Sequence, residues 1–281
     1  MIAIRLSNLQ IWTWLVLIAA CAAAQADDRQ SVCASPEAVL QRYVDAVGGR
    51  AVFDIQSRTI TAKETNLGFG TEHYIYKFKW KAPNKVTAGS TPYWMGIFPV
   101  SYPNGTFKFD GEGWSDFLGR KPRNDESNPQ QNGGGSLQRQ RELTARYPYN
   151  ESPQFLEFRV LADPLMIARD NELYSRLEAD ADPAGTPGLC ILRADQVRLR
   201  RNQRQDLLSF DAVSGLLKTW QVHTGFPPDN NSVEFQFDDY RQVGAIKFPF
   251  HVHVDMNDAT FRYTGVVQNK RLTDSEFMAK P

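Results

Sequence analysis

Most of the groups that carry catalysis are scarce or missing in this sequence. Its 281 residues include four histidines and three cysteines. No Gly-x-Ser-x-Gly turn is present to raise a serine nucleophile, and no His-Glu-x-x-His or Cys-x-x-Cys spacing is present to hold a metal. Without Cys-x-x-Cys-His there is no site for covalent haem. The glycine run Gly133-Gly134-Gly135 opens no strand-to-helix unit, so it cannot be read as a phosphate loop. Formal net charge is zero, which removes the electrostatic footprint of a nucleic-acid partner. No cofactor is implied, and the expectation is a protein that is not an enzyme.

Long apolar runs are also lacking, with one exception at the start. Arg5 precedes Ile11-Trp12-Thr13-Trp14-Leu15-Val16-Leu17-Ile18-Ala19-Ala20, and Ala24-Gln25-Ala26 supplies a small-x-small cleavage pattern before Asp27. Residues 1–26 read as a signal peptide and 27–281 as a single exported domain, placed in the periplasm. A retained membrane helix would need a basic flank, whereas Asp27-Asp28 follows. Ile18-Ala19-Ala20-Cys21 also resembles a lipobox, the alternative being a lipoprotein anchored through Cys21. Removing residues 1–26 takes one base, Arg5, and leaves 31 basic against 32 acidic side chains. In an oxidising compartment Cys33 and Cys190 form an even pair, either bridged or as two separate thiols.

What the chain does contain is strand pattern. Ser35, Pro36 and Glu37 open a helix that Gly48-Gly49 ends, with Val39, Leu40, Tyr43, Val44 and Val47 as its apolar stripe. From about residue 55 the period becomes two. Tyr74, Tyr76, Phe78 and Trp80 alternate with His73, Lys77 and Lys79, and Asp110-Gly111-Glu112-Gly113 turns a hairpin into Trp114. Residues 119–136 are polar and read as a mobile insertion, followed by helical stretches near 137–146 and from about 153 to 170, the second interrupted by Pro164. Residues 173–177 fit either a helix end or a strand. A meander then runs to about Gln268, its clearest strand alternating Ile246, Phe248, Phe250, Val252 and Val254 with Lys247, Pro249, His251 and His253. Ten or more strands joined by short turns, without βαβ alternation, predict an α+β protein with an antiparallel sheet.

Two constellations remain. His251 and His253 share a strand face, but no third ligand accompanies them, so they read as a solvated pair. Arg193, Arg198, Arg200, Arg201 and Arg204 fit two descriptions. They are a solvated strand answered by Asp170, Glu172, Glu178, Asp180 and Asp182, or a surface for headgroups and anionic membranes in which Arg198, Arg200 and Arg201 are the candidates. The aromatic surplus is equally two-sided. Tyr76, Phe78, Trp80, Trp94, Phe98, Trp114, Phe235, Phe248 and Phe250 are either ordinary core or the lining of a cavity for an apolar ligand. Alternation alone does not separate the two.

Several segments together resemble the outer-membrane lipoprotein-sorting proteins, the LolA-like superfamily. They are Val39–Gly49, Phe109-Asp110-Gly111-Glu112-Gly113-Trp114, Phe210-Asp211-Ala212-Val213-Ser214-Gly215-Leu216-Leu217 and Asp239–Pro249. The resemblance implies an unclosed, curved antiparallel half-barrel wrapped round a few helices. It also implies an apolar cavity that holds a lipid, an acyl chain or a lipoprotein. The alternative it carries is an envelope sensor or adaptor that binds another protein or a membrane surface. Length, the 119–136 insertion and the arginine-rich strand depart from the typical carrier, and no ligand contact of the family maps onto a particular residue.

Overall fold

The computed structural model describes residues 33, 35–66, 71–92, 106–110, 114–115, 153–170, 173–179, 188–196, 205–223 and 232–278. The leader, the 119–136 insertion, the helical stretch near 137–146, Trp94, Phe98, Arg198, Arg200 and Arg201 lie outside these residues.

Among the described residues twelve strands form one sheet. The first group is β1 (Ser57–Asn66), β2 (Thr71–Lys81), β3 (Lys85–Pro92), β4 (Thr106–Phe109) and β5 (Trp114–Ser115). The second is β6 (Tyr174–Ala179), β7 (Leu189–Gln196), β8 (Asp206–Asp211), β9 (Leu217–His223), β10 (Ser232–Val243), β11 (Ile246–Val254) and β12 (Ala259–Gln268). Their spatial order, β5-β4-β3-β2-β1-β12-β11-β10-β9-β8-β7-β6, is two meanders fused where β1 meets β12. Every pairing is antiparallel. The edge strands β5 and β6 do not pair with each other, so the sheet is unclosed, the architecture that the family resemblance implies.

Register decides what faces inward. Arg58, Ile60, Ala62 and Glu64 of β1 stand opposite Trp80, Phe78, Tyr76 and Tyr74 of β2, and opposite residues share a face. Across the other meander the same face carries Phe261, Val252, Phe237, Phe235, Trp220, Leu208 and Leu192, all buried. Three helices cover it. Helix α1 (Pro36–Val47) touches β11 and β6, α2 (Pro153–Ala162) lies on β1, β2 and β3, and α3 (Met166–Arg169) touches α1. The chain between β5 and β6 therefore runs from one edge to the other and supplies the roof as it goes.

Helix α1 is punctuated as its sequence predicts. Ser35 Oγ accepts from Ala38 N at 3.2 Å, and Val39, Tyr43 and Val47 are buried. Pro164 breaks the later helix, and the chain turns at 163–165 between α2 and α3. The ambiguous 173–177 stretch is strand from Tyr174, because it completes the sheet beside β7. Strand β10 runs farther than its hydrophobic pattern, since Asp239 adopts a positive φ of 52° and the pairing with β11 resumes at Tyr240. Cys33 and Cys190 are bridged, with Cα atoms 5.3 Å apart, which ties the segment before α1 to β7. On the outer face the segment after β12 is strapped down. Lys79 pairs with Glu276 at 2.6 Å, Lys81 and Lys85 pair with Asp274 at 2.7 and 3.0 Å, and Phe277 is fully buried.

Gly48 shows how closely α1 is set on the sheet. Its φ is 131°, and a Cβ there would meet Ala245 O at 2.8 Å and the Ile246 side chain at 2.9 Å. Gly49, at φ 58°, has open space around it. Gly48→Ala is expected to cost about 2 kcal/mol or more, from strain and collision together, and Gly49→Ala about 1 kcal/mol, from the left-handed backbone alone. Urea denaturation of the two variants measures the difference, and equal losses would contradict the close approach.

Candidate functional site

The interior under α2 and α3 has an apolar half and a charged half. In the apolar half, Tyr76 and Phe78 stack at 5.5 Å, Phe261 lies 5.5 Å from Tyr76 and 6.2 Å from Phe78, and Phe158 of α2 closes over them, 6.5 Å from Phe78 and 5.5 Å from Phe107. Alternate positions of adjacent strands bring these rings together, and α2, apolar on nearly all sides, is buried from Leu156 to Ala162.

Two carboxyls interrupt this apolar half. Burial, and then the neighbouring charge of Glu64, pushes Glu157 up to about 8. Glu64 is raised by its own burial, with the Tyr76 hydroxyl beside it working the other way. Burial raises the Tyr76 hydroxyl in turn. At neutral pH Glu157 is therefore mostly uncharged, which suits its surroundings.

The charged half is built by three elements. Arg58 points inward from β1, Asp163 follows α2 and Arg169 ends α3. Arg58 Nη1 donates to Asp163 Oδ1 at 3.0 Å, and Arg169 Nη2 pairs with Asp163 Oδ2. Arg58 is completely buried. Its guanidinium sits 4.5 Å from the Phe248 ring and 5.8 Å from Trp80, while that of Arg169 sits 3.7 Å over Trp80. Burial pulls Arg58 down to about 9 and holds Arg169 well below the usual arginine range, with the positive charges of Arg58 and Arg159 adding to the effect on Arg169. Tyr263 donates to Leu161 O and Tyr240 to Leu217 O, each at 2.8 Å. A separate buried network fastens the sheet edge: Trp220 Nε1 donates to Tyr174 Oη at 2.9 Å, and Tyr174 to Asp206 Oδ2 at 3.0 Å.

Among the aromatic candidates, Phe78, Trp80, Phe235 and Phe248 are buried within the packed core, and Tyr76 is half-buried against it. Phe250 is half-buried with Arg241 lying 4.7 Å from its ring. Trp114 is on edge strand β5 opposite Phe109. Tyr76 and Phe78 gather in the apolar half, Trp80 and Phe248 flank the arginines, and Phe235 packs on Trp220 at 6.0 Å in the other meander. Sequence reasoning missed Arg58, Glu64, Glu157, Asp163 and Arg169. The usable signal lay in β1, where Arg58 and Glu64 occupy the same alternating phase as Ile60 and Ala62.

No family model matches the sequence, and no curated protein matches it. Among solved structures the chain is similar to a LolA superfamily protein from Nitrosomonas europaea, at 10% identity over 86% of this chain and 96% of that one, with a TM-score of 0.45. It is similar to a DUF1329 family protein from Desulfovibrio piger, at 12% identity over 86% and 96%, with a TM-score of 0.47. A domain from Vibrio parahaemolyticus, assigned to the outer membrane lipoprotein-sorting proteins, is 9% identical over 79% and 89%, with a TM-score of 0.43. The likeness is one of fold.

Among the described residues Asp163 is the one carboxylate paired with Arg58 and Arg169, so Asp163→Ala is expected to cost about 3–5 kcal/mol by leaving two buried cations without that counter-ion. A loss below about 1 kcal/mol in urea denaturation would place these ions in contact with water. A second expectation concerns pH. The folded state keeps the Glu157 proton up to about 8, whereas an ordinary glutamate loses it near 4.5. The stabilisation is fully present below the lower value and is lost as pH rises through the upper one. Stability relative to Glu157→Gln should therefore fall between pH 5 and 8. Parallel denaturation midpoints across that range would show that Glu157 does not titrate there.

Proposed function

We propose that this is an exported binding protein that holds an acyl chain or a similar apolar group between the unclosed sheet and its helical roof. The observation that supports it best is the ring cluster of Tyr76, Phe78, Phe107 and Phe261, covered from above by Phe158 of a single ten-residue helix. A chain that takes the place of Phe158 meets rings on the sheet side and the uncharged Glu157 on the roof. Each buried CH₂ then contributes roughly 0.8 kcal/mol, so a long chain needs no elaborate polar site. Because β5 and β6 are free edges, the roof can shift without tearing a closed barrel. The leader-like residues 1–26 support a periplasmic location.

Native mass spectrometry and organic extraction of protein purified from its own compartment test this reading. The expected result is an apolar molecule at a stoichiometry near one, displaced by a fluorescent fatty acid that binds saturably. If no lipid is extracted and no fatty acid binds, the carrier reading is lost. A stoichiometric protein found in its place would favour an adaptor built on the same fold.

A further inference from the structure

Among the described residues Arg58 and Arg169 bring two buried positive charges to one carboxylate, Asp163, and the charge of Arg159 also acts on Arg169. The unused donors are arranged in a particular way. Arg58 spends Nη1 on Asp163, while Nε and Nη2 are buried and have no partner. In a guanidinium the Nε–H and the adjacent Nη2–H lie parallel on one edge, the fork that receives two oxygens of a carboxylate or phosphate. Arg169 Nε is also buried without a hydrogen bond, and the Tyr43 hydroxyl faces that of Tyr240. Tyr43 lies close enough to both arginines for their charges to act on it. Phe248 and Trp80 stabilise the cations through their ring faces but accept none of the in-plane N–H groups.

We infer that the side-on edge of Arg58, with Arg169 Nε, is a binding site for an oxyanion of the carboxylate or phosphate class. An anion there supplies a second negative charge and takes up donors that the protein leaves unpaired. This head-group site deepens the chain-binding function proposed above: an acidic head would lie on the arginines while the chain runs among the rings of the apolar half. A free inorganic anion offers the same chemistry, and the two sources separate in one experiment.

Binding of dodecanoate and of methyl dodecanoate is measured on wild-type protein and on Arg169→Met, which keeps Arg58 and Asp163 as a matched pair. Thermal melts of both proteins are recorded with and without inorganic phosphate. The expected result is dodecanoate bound about tenfold more tightly than its ester by wild type, with the preference abolished in Arg169→Met through weaker binding of the acid alone. A phosphate-dependent rise in Tm for wild type, absent in the variant, supports the site with a free anion as its source. The site is overturned if the acid binds no better than the ester and phosphate leaves both melts unchanged. Failure of both acid and ester to bind, with the phosphate response intact, removes the chain-binding function and leaves the site standing. Should Arg169→Met fail to fold by circular dichroism, Arg169→Lys, which keeps a cation but removes the Nε donor, carries the same comparison. It is expected to narrow the acid preference, and an unaltered preference would count against the site.

Discussion

The pairing of β1 with both β2 and β12 is the constraint on which the rest of the molecule depends. It fuses two meanders that would otherwise be separate sheets, and it places the earliest strand of the chain at the centre of the interior. Of the inward-facing residues on β1, Arg58, Ile60 and Ala62 are therefore buried and Glu64 is half-buried. Ile60 and Ala62 gain from that position, whereas Arg58 and Glu64 lose their hydration. Had β1 been an edge strand, the same alternation would have produced an ordinary half-wet surface.

The roof follows from the same connectivity. Because β5 and β6 are opposite edges of one sheet, the chain between them leads from one edge to the other, and its residues 153–170 lie on the inner face. A crossing segment over an apolar face becomes helical and buried, which explains why α2 has apolar residues on nearly all sides and why Pro164 is tolerated. The break at residues 163–165 turns the chain so that Asp163 and Arg169 both reach Arg58. A single continuous helix would spread the two residues over nearly two turns, about 9 Å along its axis.

The architecture was legible in the sequence to the extent that it depends on local rules. Ser35, Pro36 and Gly48 marked α1, alternation marked β2 and β11, and glycine turns marked the hairpins, because caps, periodicity and positive φ are encoded within a few residues. Strand β10 continues past the alternating apolar positions Val233, Phe235 and Phe237, through Asp238-Asp239. Only the partner strand shows that pairing continues beyond Asp239 in an unchanged register. The charged half of the interior was missed for a different reason. An arginine in an alternating strand is normally solvated, and its burial depends on β12 arriving from the far end of the chain and on a roof contributed a hundred residues later.

The two halves of the interior make opposite demands on the fold. The ring cluster takes from Phe158 the same kind of apolar contact, at similar density, that a bound chain would offer it. The arginine cluster has no such indifference, because a desolvated cation with an idle fork has a standing deficit that packing cannot relieve. A core selected only for stability would do better with apolar side chains of the same volume, as the handicap of buried ion pairs against hydrophobic replacements implies. That Arg58, Asp163 and Arg169 lie together beneath a short, broken roof on an unclosed sheet is thus a property of the interior that stability alone does not explain. Occupancy by a ligand bearing the complementary charge does.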